Sequence, residues 1–256
     1  MTSANELLER ITVPKTLPCR RASILLEGEP GTGKTYNAFR LEGKTLGIYT
    51  DSNRATLDML KAQGHDIHEV EIKNWKEDFD PFLLVKLKNR ELDFDNIVVD
   101  SIDALFELWV TEKQQRVKKF SHDEWAELLG IQTRVTYELT NLCRPRQGQR
   151  DYNFVATCKI QDTKDDQGVI FKYEPMILGS FRGKIEAKFD YVLQTDSEMV
   201  SEQVAGGKRE RRKNLFIRTV PGDNYHSTKA PIHWPAKVGS LKDIHDLIDS
   251  DLQNAK

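Results

Sequence analysis

Cysteine is scarce in this chain. Only Cys19, Cys143 and Cys158 occur among 256 residues, far apart and without a Cys-x-x-Cys pair. That scarcity excludes a disulfide framework and a zinc ribbon and fits a reducing cytoplasm. Long apolar runs are also missing: Asp100, Asp103 and Glu107 interrupt the longest, and Met1 to Pro18 carries Glu6 and Glu9. Neither a membrane span nor an export segment is expected. The six histidines are scattered, and His65 and His68 bring no ligand set with metal-binding geometry. Net charge is nearly absent, with 38 Lys and Arg against 40 Asp and Glu. This excludes a uniformly basic surface that coats nucleic acid, leaving room only for local basic patches.

What is present is a globular composition. Hydrophobic residues make up 38% and charged residues 30%, enough for a core under a well-solvated surface. Apolar Ile24-Leu25-Leu26, a glycine-rich turn and a stretch through Ala38 and Phe39 read as strand, loop and helix. Further strands are expected at Thr45 to Tyr49 and around Ile67 to Ile72, with a helix through Leu57 and Leu60 between them, capped from Thr50-Asp51-Ser52-Asn53. A helix over about Pro81 to Asn89 precedes Asn96-Ile97-Val98-Val99-Asp100, a β-branched run typical of a strand buried on both faces. Two helices should follow, the second opened by the capping box Ser121-x-x-Glu124 and closed by Pro145 and Gly148. Strands then dominate, at Tyr152 to Thr157, Val169 to Tyr173, Phe189 to Leu193 and Leu215 to Val220, with Gly206 to Lys213 as a hairpin tip. The alternation predicts an α/β fold with a mainly parallel sheet flanked by helices and a strand-rich C-terminal half. Residues 1–21 read as an N-terminal extension, 22–238 as one domain and 239–256 as a C-terminal helix from Leu241 to Leu252.

The strongest signal is Gly28-Glu29-Pro30-Gly31-Thr32-Gly33-Lys34-Thr35, a full G-x-x-x-x-G-K-[ST] match between an expected strand and helix. Glycines let backbone amides turn toward phosphate oxygens, the lysine reaches the β- and γ-phosphates, and the hydroxyl ligates magnesium. The expected nucleotide-binding set is therefore Gly28, Glu29, Pro30, Gly31, Thr32, Gly33, Lys34, Thr35 and Tyr36, with ATP and Mg as ligands. Asp100, ending an apolar strand, is the expected second member of the metal shell with Thr35. An AAA+ ATPase normally places glutamate directly after this aspartate, and here Ser101 follows.

The run Asn96 to Leu105 resembles the magnesium-binding strand of RecA-like P-loop ATPases, and Thr45 to Asn53 resembles the strand that ends in their catalytic acid. The layout is similar to the phage nucleotide-binding AAA-domain family, which includes ATPases of phage single-strand annealing and recombination. The resemblance spans about Ala22 to Pro235. It implies a RecA-like P-loop NTPase that hydrolyses ATP, acts on single-stranded DNA in recombination, replication or repair, and works as a homo-oligomer. In the position of the catalytic acid the chain offers only Asp51, which either orients the attacking water or caps a turn. Tyr152 to Gln161 resembles the γ-phosphate sensor strand, with Thr157, Lys159 and Gln161 on one face. Lys34, Asp51 and Lys159 are the implied catalytic residues. Arg182, Lys184, Arg218 and Lys229 are candidates for a cation donated to a neighbouring subunit.

Three segments carry the chemistry of a DNA contact: Lys164 to Tyr173 with Phe171 and Lys172, the turn Arg144 to Arg150, and the run Lys208 to Lys213. A DNA-stimulated ATPase with possible phage recombination or replication partners is the leading expectation. The alternative is a nucleotide-gated binding module or loader with negligible turnover. A small-molecule kinase fits less well, because no arginine-rich lid and acceptor pattern is evident.

Overall fold

The computed structural model describes residues 21–50, 54–144, 150–164, 166–203, 209–221 and 228–254. Alternating burial in the strands produces a layered α/β architecture. In β1 (Ser23–Gly28), Leu25 joins one apolar cluster while Ile24 and Leu26 join another; in β4 (Asn96–Asp100), Ile97 and Val99 face the first and Val98 the second. Both faces of the sheet are therefore covered, as the continuous β-branched run of β4 requires.

The sheet has the order β3-β2-β4-β5-β1-β7-β8-β9, with β6 attached to β5. Strands β2 (Thr45–Tyr49), β3 (Ile67–Glu71), β4, β5 (Asn153–Lys164), β1 and β7 (Tyr191–Gln203) run parallel. Strands β6 (Ile170–Pro175), β8 (Arg209–Arg218) and β9 (Lys237–Val238) add antiparallel partners. Because β5 lies between β1 and β4, its side chains bridge the loop after β1 and the acid that ends β4. This is a P-loop NTPase fold with a mostly parallel sheet flanked by helices.

On one face pack α3 (Leu84–Lys88), α4 (Ile102–Gln114) and α5 (His122–Thr140) through Leu84, Leu105, Phe106, Val135 and Leu139. The other face receives α1 (Lys34–Ala38), α2 (Ala55–Ala62) and the C-terminal α6 (Leu241–Asn254), the last through Leu241, Ile244 and Ile248. The capping box of α5 is formed: Ser121 accepts from the Asp123 amide, and Glu124 accepts from the Ser121 amide at 2.8 Å.

Several sequence expectations need correction. The helix expected from Pro81 begins earlier, as a π-helical segment Trp75–Leu83 that contains Pro81 and runs into α3. Proline has no amide to donate, so a wide turn tolerates it. Burial of Trp75, Phe79 and Leu83 in the core, together with Asp78 accepting the Lys73 and Asn74 amides at 2.9 Å, sets the earlier start. Arg209 to Lys213 is not a hairpin tip but part of β8, paired with Gln203 to Met199 of β7. The strand expected over Tyr152 to Thr157 continues to Lys164 as β5. Helix α2 starts after Arg54; Asp51 to Asn53, and Pro145 and Gly148, lie outside the described residues.

Glu27, one residue before the P-loop, is buried on β1 and its Oε1 has no hydrogen-bond partner among the described residues. Burial pushes its carboxyl well above the ordinary glutamate value of 4.5, and nearby Glu186 adds to the shift. A raised folded-state pKa means that the folded protein holds the proton while the unfolded chain releases it. The stability due to this protonated group is complete below the unfolded value and declines as pH rises toward the folded one, by about 1.4 kcal/mol per pH unit at most. Glu27→Gln should accordingly raise the urea midpoint more at about pH 8 than at about pH 5; an equal effect at both would contradict a raised Glu27 pKa.

Candidate functional site

The loop between β1 and α1 has the geometry its glycines dictate. Gly33 sits at φ 88°, in the left-handed region that favours glycine. Gly28 is required for a different reason: a Cβ there would stand 2.9 Å from the Thr195 carbonyl oxygen of β7. Thr32 Oγ1 donates to the Glu29 carbonyl and contacts Thr195 Oγ1, each at 2.7 Å, which binds the loop to the neighbouring strand. Lys34 Nζ folds back to donate to the Gly28 and Glu29 carbonyls at 2.7 and 2.8 Å. Burial lowers the Lys34 pKa from 10.5, while Asp100 and Asp103 oppose that shift.

Asp100 stands beside this loop. Its Oδ2 accepts from Thr35 Oγ1 at 2.8 Å, and its Oδ1 accepts from the Thr157 hydroxyl of β5. The two hydroxyls hold one carboxylate between the P-loop and the central strand. Thr157 itself is fully buried, so its hydroxyl depends on this partner. The peptide bond between Asp100 and Ser101 is cis. Next along β5, Lys159 Nζ lies 3.8 Å from Asp103 Oδ2, and its amide donates to Asp103 Oδ1 at 3.2 Å.

A cleft of about 550 Å³ opens here, lined by Pro30, Gly31, Gly33, Lys34, Thr35, Tyr36, Asp100, Ser101 and Lys159. Thr56 and Met59 of α2 and Leu215 of β8 complete the wall. The donor set suits magnesium: a hydroxyl and a carboxylate are hard oxygen ligands, and this ion keeps several waters while using few protein ligands. Their direct hydrogen bond places both oxygens on the same side of the cleft.

The structure thus brings together Lys34, Thr35, Asp100 and Lys159, with Tyr36 at the cleft wall. Asp51 lies outside the described residues, although β2 ends beside Asp100, with Tyr49 in register with it. Thr157 is engaged with Asp100. Gln161 lies farther out, in register with Glu174 of β6. Arg218 donates to Asp196 at 2.7 Å, Lys229 to the Phe189 carbonyl and Arg182 to Glu174 at 3.4 Å, while Lys184 is exposed. The sequence reading missed Asp103, Leu215 and the approach of Lys213 Nζ to the Gly31 carbonyl at 2.6 Å. An acid one helical turn after Asp100 was visible; the crossing of β8 over the loop was not.

The basic patches fare unequally. Arg144 pairs with Asp190 at 2.5 Å, and Arg150 with Asp95 at 2.8 Å and with Asp93. The Arg90 guanidinium also donates to the Arg144 and Arg150 carbonyls, at 3.0 and 2.8 Å. Arg144 and Arg150 flank the start of β5, at the end of the strands opposite the P-loop. Lys164 pairs with Asp162 at 3.0 Å and Lys172 with Glu174 at 2.5 Å. Arg211, Arg212 and Lys213 are exposed on β8, which rises past the cleft.

Fold and loop define a P-loop nucleotide-binding domain. Residues 20–231 match the AAA domain family, and the chain belongs to it. No curated protein matches. Among solved structures, the P4 protein from bacteriophage phi6 in complex with ADP is similar at 16% identity and a TM-score of 0.34, over 75% of this chain and 57% of that one. The chain therefore spans little more than half the length of that protein.

Thr157→Val keeps the shape of the side chain and removes the hydroxyl that donates to Asp100. It should destabilise the protein by about 1–3 kcal/mol in urea denaturation, with Thr157→Ser restoring most of the loss. An unchanged midpoint for Thr157→Val would show that Asp100 does not depend on this bond.

Proposed function

We propose that this AAA domain binds ATP with magnesium and hydrolyses it, and that the cycle governs its hold on single-stranded DNA in phage recombination, replication or repair. The observation that carries the reading is the pairing of Thr35 with Asp100 at 2.8 Å beside Lys34 on one wall of the cleft. In this reading the amides of Gly31 to Thr35 receive the phosphates. Lys34 leaves the Gly28 and Glu29 carbonyls for the β- and γ-phosphates, because an anionic oxygen is a stronger acceptor than a neutral carbonyl. Thr35 and Asp100 would hold magnesium, directly or through its waters. When bound, the ion draws charge from the terminal phosphates.

Lys159, tethered by Asp103, acts as the γ-phosphate sensor, and Asp51, two residues after β2 in sequence, orients the attacking water. The exposed arginines of β8 supply phosphate contacts for DNA beside the nucleotide. Homo-oligomerisation and a host-cytoplasmic setting belong to the same proposal. Among the described residues no helix is long and apolar enough to cross a membrane.

One observation favours a second reading, a nucleotide-gated binding module with negligible turnover. Among the described residues lining the cleft, Asp100 is the only carboxylate. If the shorter Asp51 side chain does not reach the water, nucleotide acts as a conformational ligand alone.

Steady-state ATP hydrolysis with and without single-stranded DNA separates the two. Turnover that rises with DNA, and that falls by about 100-fold or more in Lys34→Ala, is the expected result. Magnesium-dependent binding without turnover would establish the gated module, and wild-type turnover in Lys34→Ala would overturn the P-loop assignment.

A further inference from the structure

The β7–β8 hairpin does more than extend the sheet. Its second strand, β8, runs antiparallel to β7, which is itself parallel to β1, so β8 passes the P-loop at the edge of the cleft. Leu215 packs so closely that a Cβ on Gly33 would stand 2.8 Å from its Cδ1. Two residues earlier on the same strand face, Lys213 Nζ donates to the Gly31 carbonyl at 2.6 Å. Leu215 is thus an apolar wall of the nucleotide cleft, and Lys213 is a cation brought to its phosphate-binding loop from a strand distant in sequence.

Lys213 and Lys34 stand in similar positions. In the structure each ammonium donates to neutral carbonyls of the loop. Such a bond, charged on the donor side alone, is weaker than one to an anionic phosphate oxygen. Lys159 differs, because its ammonium already faces the Asp103 carboxylate at 3.8 Å. Among the cations considered for a neighbouring subunit, Arg218 and Arg182 face carboxylates and Lys229 a carbonyl of the same chain.

We propose that Lys213 is a phosphate-contacting residue of the nucleotide site, supplied by the same chain, and that it exchanges the Gly31 carbonyl for a terminal phosphate oxygen when a nucleoside triphosphate binds. This inference rests on the nucleotide-binding reading above and adds a residue that the P-loop motif does not contain. It also gives the hairpin a direct link to the nucleotide. Lys213 is in register with Met199 of β7, and Arg211 and Arg212 precede it on β8, so the strand that contacts the phosphate also carries the exposed arginines. A change at the terminal phosphate would shift the tether that holds those arginines beside the cleft.

Calorimetric titration with Mg-ADP and with a slowly hydrolysed Mg-ATP analogue tests the contact without relying on turnover. The full-length wild type, Lys213→Met and Lys213→Arg would be compared, and thermal melts would establish that each is folded. Methionine keeps the apolar stem and removes the charge. Expected for Lys213→Met is a loss of about tenfold in triphosphate affinity, a smaller loss for ADP, and recovery in Lys213→Arg. Wild-type affinity of Lys213→Met for the triphosphate would overturn the inference while leaving the nucleotide site intact. Equal losses for ADP and the triphosphate would also overturn it, since they would mark a structural role for the loop contact. Failure of the wild type to bind either nucleotide would overturn the underlying reading as well. A mixture of Lys34→Ala and Lys213→Met chains that regains hydrolysis would show the cation to be donated between subunits, contradicting the same-chain assignment.

Discussion

The site depends on one carboxylate held by two hydroxyls. Asp100 accepts from Thr35 of the P-loop at 2.8 Å and from buried Thr157 of β5. A buried hydroxyl without a partner costs about 1–3 kcal/mol, so the arrangement fixes the rotamer of Asp100 before any ligand arrives. It also ties three strands together, because β5 separates β1 from β4. The parallel order of the sheet puts the loop, the acid and Lys159 of β5 at one end of the strands, where strand ends open into the cleft.

Around that point charges of both signs meet. Lys34 and Lys159 face Asp100 and Asp103, and burial lowers the Lys34 pKa while the two acids resist the shift. Below the loop, burial pushes the Glu27 carboxyl well above the ordinary glutamate value, which disfavours a negative charge beside the site. The hairpin of β7 and β8 contributes an apolar wall at Leu215 and a further ammonium at Lys213.

The contiguous parts of this site were legible in the sequence. Gly28 to Thr35 encodes a backbone shape through its glycines, and Asp100 announces itself by ending a run of β-branched residues. Both signals survive without knowledge of tertiary contacts. Thr157 was legible only as one of three alternating candidates, because choosing it requires the register that sets β5 beside β4. Lys213 read as part of a charged hairpin tip; only the pairing of β8 with β7 carries it to Gly31. The basic turn at Arg144 and Arg150 read as a free patch because its partners, Asp190, Asp93 and Asp95, are remote in sequence. The early start of the helix around Pro81 escaped for a related reason: packing of Trp75 and Phe79 outweighs the local signal of proline.

The central claim is that Asp100, held by Thr35 and Thr157, makes the loop a magnesium-nucleotide site. Its most direct measurement is the affinity for ADP with and without magnesium, by calorimetry, in the wild type and in Asp100→Asn. The account predicts that magnesium strengthens wild-type binding and that Asp100→Asn loses about tenfold or more of that gain while retaining its metal-free affinity. An undiminished magnesium effect in Asp100→Asn would contradict it.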